Sequence, residues 1–175
     1  MQSTSPKASS VLAAEYLREL EAEAAATRAC LANTPMEKAD WKPHEKSMPL
    51  GYLAAMIAEM PKWIQYTIEK GEIDFGTFQH EKIETTDQLV AAFDKNMDAV
   101  RNALQNLTDE GLKETFSLKT QGKLLFSSPK DESISQSINH LVHHRGQLSV
   151  YLRLNDLPVP SIYGPSADDK AGFEF

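Results

Sequence analysis

Residues 133–156, SISQSINHLVHHRGQLSVYLRLND, are the stretch around which the other segments can be arranged. Its apolar residues recur at spacings of three, four and seven, which predicts an amphipathic helix and the last long helix of a bundle. Ser133 followed by Gln136 has the pattern of a capping box and predicts the start of this helix. The apolar positions are Ile134, Ile138, Leu141, Leu148 and Leu152.

Three histidines lie inside this predicted helix. His140 and His144 are four residues apart, so their imidazoles emerge from the same face, one turn from each other. Two neutral imidazoles held in this way can occupy two positions of a transition-metal ion if another element supplies the remaining ligands. His143 points about 100° away and is interpreted as a surface or interface group.

Three earlier segments also have helical periodicity. The first begins near Ser9 or Ser10 and ends near Ala32, the second begins at a Ser47 cap and ends near Lys70, and the third begins at Thr85. Pro61 lies inside the second, which predicts a kink or two shorter helices. With no alternation of strands and helices, these patterns predict a single all-α domain over residues 1–175, a four-helix bundle.

The segments outside the four predicted helices are predicted to be mostly irregular. Residues 1–8 are expected to form a loose N-terminus, and residues 72–84 an irregular loop. Residues 109–130 contain an acidic turn and then apolar residues around Gly122, which favour a brief hairpin or an extended cover. The proline-rich residues 157–175 are expected to form a tail that packs back on the bundle.

Composition limits the classes of partner and compartment. The 18 Lys and Arg residues against 25 Asp and Glu residues give a net charge of −7, which argues against nucleic acid as the main partner. No signal-peptide pattern and no apolar run of about 18 residues is present, so a cytoplasmic protein without membrane spans is expected. Cys30 is the only cysteine, in an alanine-rich helical pattern, and is interpreted as a buried hydrophobe.

The histidine-containing segment, as H-x-x-x-H-R-G-Q, resembles the DinB family, also called DinB/YfiT-like. The resemblance extends into the tail and upstream to the predicted second helix, and therefore covers most of the chain. The residues that carry it are His140, His144, Arg145, Gly146 and Gln147, then Pro160, Tyr163, Gly164 and Pro165, and upstream Trp41, Pro43, Ser47 and Leu53.

The resemblance implies an up-down-down-up bundle, usually a homodimer, with a divalent metal such as Zn, Ni or Mn. Three histidines hold the ion in the family, one from the second helix and two from the fourth. Relatives include transferases and an isomerase that use low-molecular-weight thiols. The expected function is therefore a metal-dependent enzyme, such as a thiol transferase or a hydrolase-like enzyme. Arg145 and Gln147 would orient the histidines or tie helix ends by hydrogen bonds.

This chain departs from the family pattern at the third ligand, because Met56 stands where the second-helix histidine is expected. A thioether suits soft ions such as Cu(I) and is a poor ligand for Zn(II) or Ni(II). Glu59, one turn further along, could be a substitute ligand, a general base or a polar group hydrogen-bonded to a histidine; the last is favoured. His44 and His80 are interpreted as solvent-facing loop residues, although either could reach the site.

A second function therefore remains open beside the metal-dependent enzyme. In this alternative the protein is a non-catalytic relative whose metal site has degenerated. It would bind a small molecule or act as a dimeric stress-response protein. Met56 is the feature on which this alternative depends, since it replaces a strong ligand by a packing residue.

Overall fold

The computed structural model describes residues 10–170 and consists mainly of four long helices joined by short segments. The all-α, four-helix bundle predicted from the sequence is confirmed. A fifth, short helix and a 3₁₀ turn at Met36–Lys38 lie in the connections. The helices are α1 (Val11–Ala32), α2 (Leu50–Glu69), α3 (Thr86–Gln105), α4 (Asp109–Lys113) and α5 (Lys130–Leu154).

Contacts between helices α1, α2 and α3 define their directions. Helix α1 is antiparallel to α3, because Arg28 pairs with Asp94 at 2.9 Å while Glu21 pairs with Arg101, further along α3. Helices α2 and α3 both begin at the end of the bundle where α1 finishes. At this end the Thr86 hydroxyl donates to the backbone carbonyl oxygen of residue 34 at 2.7 Å. The backbone amide of residue 51 likewise donates to the carbonyl oxygen of residue 39 at 2.9 Å.

Helix α5 returns in the direction of α1. At its start the Lys130 Nζ donates to the carbonyl oxygen of Ile68, at the end of α2. Near its finish the Tyr151 hydroxyl donates to the carbonyl oxygen of Met48, just before α2 begins. Helix α5 is therefore antiparallel to α2, and the up-down-down-up order implied by the family resemblance is confirmed.

Two of the predicted helix starts agree with the structure. The Ser10 hydroxyl accepts from the amides of Leu12 and Ala13 and caps α1. The Thr85 hydroxyl caps α3 by accepting from the Gln88 amide, while the Gln88 side chain accepts from the backbone amide of residue 84. In both cases a local side chain satisfies amides that the first helical turn leaves free.

The other two predicted helix starts were wrong, by two residues for α2 and by four residues for α5. Helix α2 follows Pro49 and α5 follows Pro129, and neither proline makes a side-chain cap. Both prolines have extended backbone, with ψ of 148° and 150°, so each joins an extended segment directly to a helix. Ser133 consequently lies inside α5, where its hydroxyl bonds to that of Ser128 at 2.7 Å.

A three-stranded sheet covers one side of the bundle, with strand order β1-β2-β3. Strands β2 (Thr115–Thr120) and β3 (Lys123–Pro129) form the predicted hairpin. Its turn places Gln121 and Gly122 at φ values of 50° and 77°. The irregular loop expected from residue 72 instead begins with strand β1 (Glu72–Asp74), which pairs in parallel with β2.

The apolar core lies between the four long helices and extends under the tail. Pro61 is buried within α2, which continues through it as one helix. Leu157, Val159 and Ile162 of the tail pack against the core. Cys30 is fully buried, as predicted, and burial raises the pKa of its thiol to about 11. Residues 1–9 and 171–175, including the N-terminus expected to be loose, lie outside the described residues.

Within residues 10–170, the helices are too short or too polar for any of them to span a bilayer.

Candidate functional site

The two histidines of the family motif meet on α5. The Nε2 atoms of His140 and His144 are 2.7 Å apart, and the Nδ1 atom of His144 is 2.7 Å from the Gln147 side-chain oxygen. Because an amide oxygen only accepts, the neutral His144 ring carries its proton on Nδ1, and its Nε2 lone pair can accept a hydrogen bond. His140 Nε2–H therefore donates to His144, and Gln147 sets the tautomer of the pair.

Both histidines favour the neutral form. Burial lowers the pKa of His140, and the neighbouring imidazoles of His144 and His143 lower it further. Burial also lowers the pKa of His144, which is 7% exposed, while the hydrogen bond to Gln147 opposes that change. Neutral imidazoles are the form that accepts hydrogen bonds and donates lone pairs to metals.

Arg145 follows His144 directly in sequence, but its side chain forms hydrogen bonds with α1 and the tail and not with the histidines. Its guanidinium contacts α1 through the Glu23 carboxylate at 2.5 Å and the Thr27 hydroxyl at 3.2 Å. It also donates to the Tyr163 hydroxyl in the tail at 2.8 Å. Arg145 therefore joins α5, α1 and the tail, whereas Gln147 is the motif residue that contacts an imidazole.

A cavity of 470 Å³, named here the larger cavity, lies between α2, α5 and the sheet. His140 and Met56 both line it, so the first histidine and the residue expected at the third ligand position lie at one cavity, whereas His144 is not among the lining residues. The Trp63 ring, also in the wall, lies 6.0 Å from that of His140. The remaining lining residues are Tyr52, Thr67, Ile73, Phe75, Phe116, Leu118, Phe126, Ser133, Gln136 and Ser137.

Glu59, considered above as a substitute ligand, is engaged with a different histidine. Its carboxylate is 2% exposed, and its Oε2 atom is 2.7 Å from the Nδ1 atom of His80. Its Oε1 atom accepts from the Glu81 amide at 2.9 Å. Glu59 is thus hydrogen-bonded to a histidine, as favoured from the sequence, but this histidine comes from the loop between β1 and α3.

The sequence interpretation placed His80 on a solvent-facing loop from which it could reach the site, but did not predict its contact with Glu59. The His80 side chain is 59% exposed, yet it is fixed by a buried carboxylate. The loop has no periodicity that could have predicted this contact. His44 is exposed on its own loop, where its Nδ1 atom accepts from the Lys46 amide at 3.1 Å.

The donor set does not fit the divalent ion that the family resemblance implies. Structural and catalytic zinc sites use at least three strong protein ligands. Among the described residues, no three His, Cys, Asp or Glu side chains are grouped in a way that could hold an ion. The residues at the positions that the resemblance implies, two imidazoles and a thioether, would be softer and weaker ligands than three histidines.

The model of the DinB family matches residues 2–173. The chain belongs to the DinB family. A curated relative, the uncharacterized protein YrdA of Bacillus subtilis, is 27% identical over 164 residues, covering 90% of this chain and 92% of its own.

Solved structures of DinB-like proteins share the fold. The protein YjoA from Bacillus subtilis has a TM-score of 0.63 at 18% identity, covering 81% of this chain and 92% of its own. A DinB-like protein from Bacillus cereus has a TM-score of 0.65 at 22% identity, covering 85% and 95%. At 18% and 22% identity, the similarity to these two structures establishes the shared fold and nothing about function.

Proposed function

We propose that this DinB family protein binds a small, mainly apolar molecule in the larger cavity. The proposal rests on one observation, the way in which apolar and polar side chains are distributed over the walls of this cavity. Helix α2 and the sheet supply mostly aromatic and aliphatic side chains, and α5 supplies a row of polar ones. A volume of 470 Å³ lies within the usual range for small-molecule sites.

The polar row on α5 would orient the ligand. Ser133, Gln136, Ser137 and His140 are spaced three, one and three residues apart, so they follow one side of the helix. Apolar walls supply the affinity through burial, and a few placed polar groups supply the orientation. The neutral imidazole of His140 adds a hydrogen-bonding group at the end of this row.

Binding of the neutral dye N-phenyl-1-naphthylamine tests the proposal, because its fluorescence rises in an apolar site. Ser137→Leu fills space in the larger cavity and is expected to weaken binding at least about tenfold. Ser149→Leu, the same change on the same helix outside the cavity lining, is the matched control and should bind as the natural chain does. Absence of saturable binding, or equal loss in both variants, would contradict the proposal.

A second candidate is a metal-dependent enzyme with an altered site, such as a thiol transferase. The two imidazoles on one face of α5 favour it, as does the position of Met56 on the same cavity as His140. To ligate through Nε2, His140 would carry its proton on Nδ1 instead. Two imidazoles and a thioether would suit a soft ion such as Cu(I) better than Zn, Ni or Mn. No step of the larger-cavity proposal depends on such an ion.

Metal analysis of untagged protein, supplied in turn with Zn, Ni, Mn and Cu(I), tests this second candidate. Stoichiometric binding that is lost in His144→Gln would support it, and binding far below one equivalent would overturn it. Met56→His completes a three-histidine set and should raise zinc affinity strongly. Unchanged zinc affinity in that variant would mean that the three positions do not converge on one ion.

A further inference from the structure

Aromatic rings form a large part of the walls of the larger cavity. Tyr52 and Trp63 come from α2, Phe75 from the segment after β1, and Phe116 and Phe126 from the hairpin. Trp63 contacts Phe75, with ring centroids 5.9 Å apart and planes at 62°. Phe116 contacts Phe126 at 6.2 Å and 66°. Both pairs have the edge-to-face geometry in which aromatic rings attract one another beyond the burial of their surface.

Three of these rings lie at the mouth of the cavity. Tyr52, Phe75 and Phe126 line the cavity and are also exposed to solvent, whereas Phe116 is buried. An exposed apolar surface that continues into a cavity is typical of a ligand-binding groove. The rim therefore offers aromatic surface to the part of a ligand that extends out of the cavity.

The walls of the larger cavity carry no acidic or strongly basic group. Among the described residues, no Asp, Glu, Lys or Arg side chain lines it, and its polar side chains carry hydroxyl, amide, indole and imidazole groups. An ion that entered this space would lose water without gaining a partner of opposite charge, which costs free energy. The net charge of −7 also opposes an anion at longer range. The site therefore favours an uncharged ligand.

We propose that the ligand of the larger cavity is an uncharged molecule built on fused aromatic rings. This inference rests on the proposed function and narrows it, because a small, mainly apolar molecule can also be aliphatic. The rings would pack against Trp63 and Phe116, and the polar row on α5 would bond to a neutral substituent. An apolar cavity of about 150 Å³ holds benzene, so 470 Å³ accommodates two fused rings with a substituent.

Three probes with one bicyclic skeleton test this ligand class: naphthalene-2-carboxamide, its decahydro form and naphthalene-2-carboxylate. Calorimetry measures each affinity at pH 8, above the ordinary pKa of histidine, so that His140 is uncharged. The decahydro amide buries at least as much apolar surface, so burial alone predicts no loss of affinity. Without aromatic ring contacts, however, it should bind about tenfold more weakly than the aromatic amide.

The carboxylate should also bind at least about tenfold more weakly than the aromatic amide, because it must be desolvated without a cation. Either the decahydro amide or the carboxylate binding as tightly as the aromatic amide would overturn the inference. Both comparisons use the natural chain, so they do not depend on how well any variant folds.

A pair of variants tests the role of the aromatic wall. Phe116→Leu removes a ring from the wall and keeps an apolar side chain, so it should reduce the preference for the aromatic amide several-fold. Phe93→Leu is the matched control, because Phe93 is buried in the core and does not line the cavity. A preference that survives Phe116→Leu, or that falls equally in both variants, would overturn the contact with the wall. Thermal unfolding followed by circular dichroism verifies that each bundle is intact.

A second pair of variants tests the absence of charge. Gln136→Lys adds a cation at an exposed position of α5 that lines the cavity, and should raise the affinity for the carboxylate several-fold relative to the aromatic amide. Asn139→Lys adds the same charge at an exposed position of the same helix outside the lining, and should not. An equal gain in the two variants, or no gain in Gln136→Lys, would contradict the inference.

Failure of this inference is distinguishable from failure of the proposed function. Saturable binding of the dye that Ser137→Leu weakens, together with equal affinities for the aromatic and decahydro amides, would overturn the aromatic ligand class and leave the proposed site intact. Absence of saturable dye binding would contradict both.

Discussion

At the scale of single residues, Arg145 shows how a charge is held inside this bundle. Its side chain is 1% exposed and faces the Glu23 carboxylate, which is 14% exposed. A buried ion pair adds little net stability relative to apolar groups, but loss of one partner leaves the other charge uncompensated. The Tyr163 hydroxyl shares this arrangement, since it accepts from Arg145 and donates to Glu23 at 3.0 Å.

Arg145→Ala is therefore expected to lower the free energy of unfolding by about 3–5 kcal/mol. The reason is the Glu23 carboxylate, which would stay largely buried without its cation. Urea unfolding followed by circular dichroism measures the change. Arg28→Ala, which breaks an ion pair with Asp94 on the surface, is the matched control and should have little effect. Similar losses in the two variants would show that burial does not govern the effect.

Two pairs of residues show which contacts of the site could be predicted from the sequence. His140 and His144 are four apart on a helix, so their meeting follows from helical geometry alone. The pair formed by Glu59 and His80 joins residues 21 apart through an aperiodic loop. No spacing rule connects such residues, so this contact could be seen only in three dimensions.

At the scale of elements, Asp74 connects strand β1 to the hairpin turn. Its Oδ1 atom accepts from the Gly76 amide at 2.8 Å, and its Oδ2 atom accepts from the Gly122 amide at 2.7 Å. These backbone hydrogen bonds lower the pKa of the Asp74 carboxyl below its ordinary value of 3.8. The carboxylate therefore holds the turn of the hairpin against the segment after β1.

Asp74→Ala is expected to release this turn and to speed amide hydrogen exchange at Gly122 and Phe75. Because the pKa is lowered in the folded state, the stabilisation is fully present above about pH 4 and is lost as the pH falls through the lowered pKa. The natural chain and the variant should therefore differ at pH 7 and converge in stronger acid. Asp40→Ala, at an exposed loop aspartate, is the control; a pH-independent difference would contradict the assignment.

The elements also differ in whether neighbouring or distant residues determine them. Helices α1 and α3 were predicted with their caps, because periodicity and capping are encoded within a few residues. Strand β1 pairs Ile73 with Leu118, a partner on a distant segment, and its three residues contain no strand pattern of their own. The starts of α2 and α5 were misplaced because a serine cap pattern was preferred over the prolines that precede each helix.

At the scale of the whole molecule, the helix order places two residues of the family motif, His144 and Arg145, on the inner side of the last helix, where both are buried. Since α5 packs antiparallel to α2, residue 56 and His140 come to the same cavity although 84 positions separate them. The predicted four-helix order was thus sufficient to place Met56 and His140 together. The homodimer implied by the family resemblance stays a prediction, which light scattering can test against the 19.5 kDa mass of one chain.

The charge of the whole molecule argues against binding to nucleic acid. The net charge is −7, and each arginine of the chain pairs with a carboxylate, so guanidinium groups are already neutralised where phosphates would need them. The five pairs are Arg18–Glu15, Arg28–Asp94, Arg101–Glu21, Arg145–Glu23 and Arg153–Asp168. The summed field should therefore repel a polyanion at the distances from which association is steered.

We accordingly expect no saturable binding to a fluorescein-labelled DNA duplex at up to about 100 μM protein in physiological salt, where non-specific binders already associate. Fluorescence anisotropy measures this, and a basic DNA-binding protein serves as the positive control. The prediction would be contradicted by saturable binding whose affinity falls steeply as salt is added, because that dependence is the signature of counterion release. Such a result would require a local cluster of lysines to outweigh the net charge and the paired arginines.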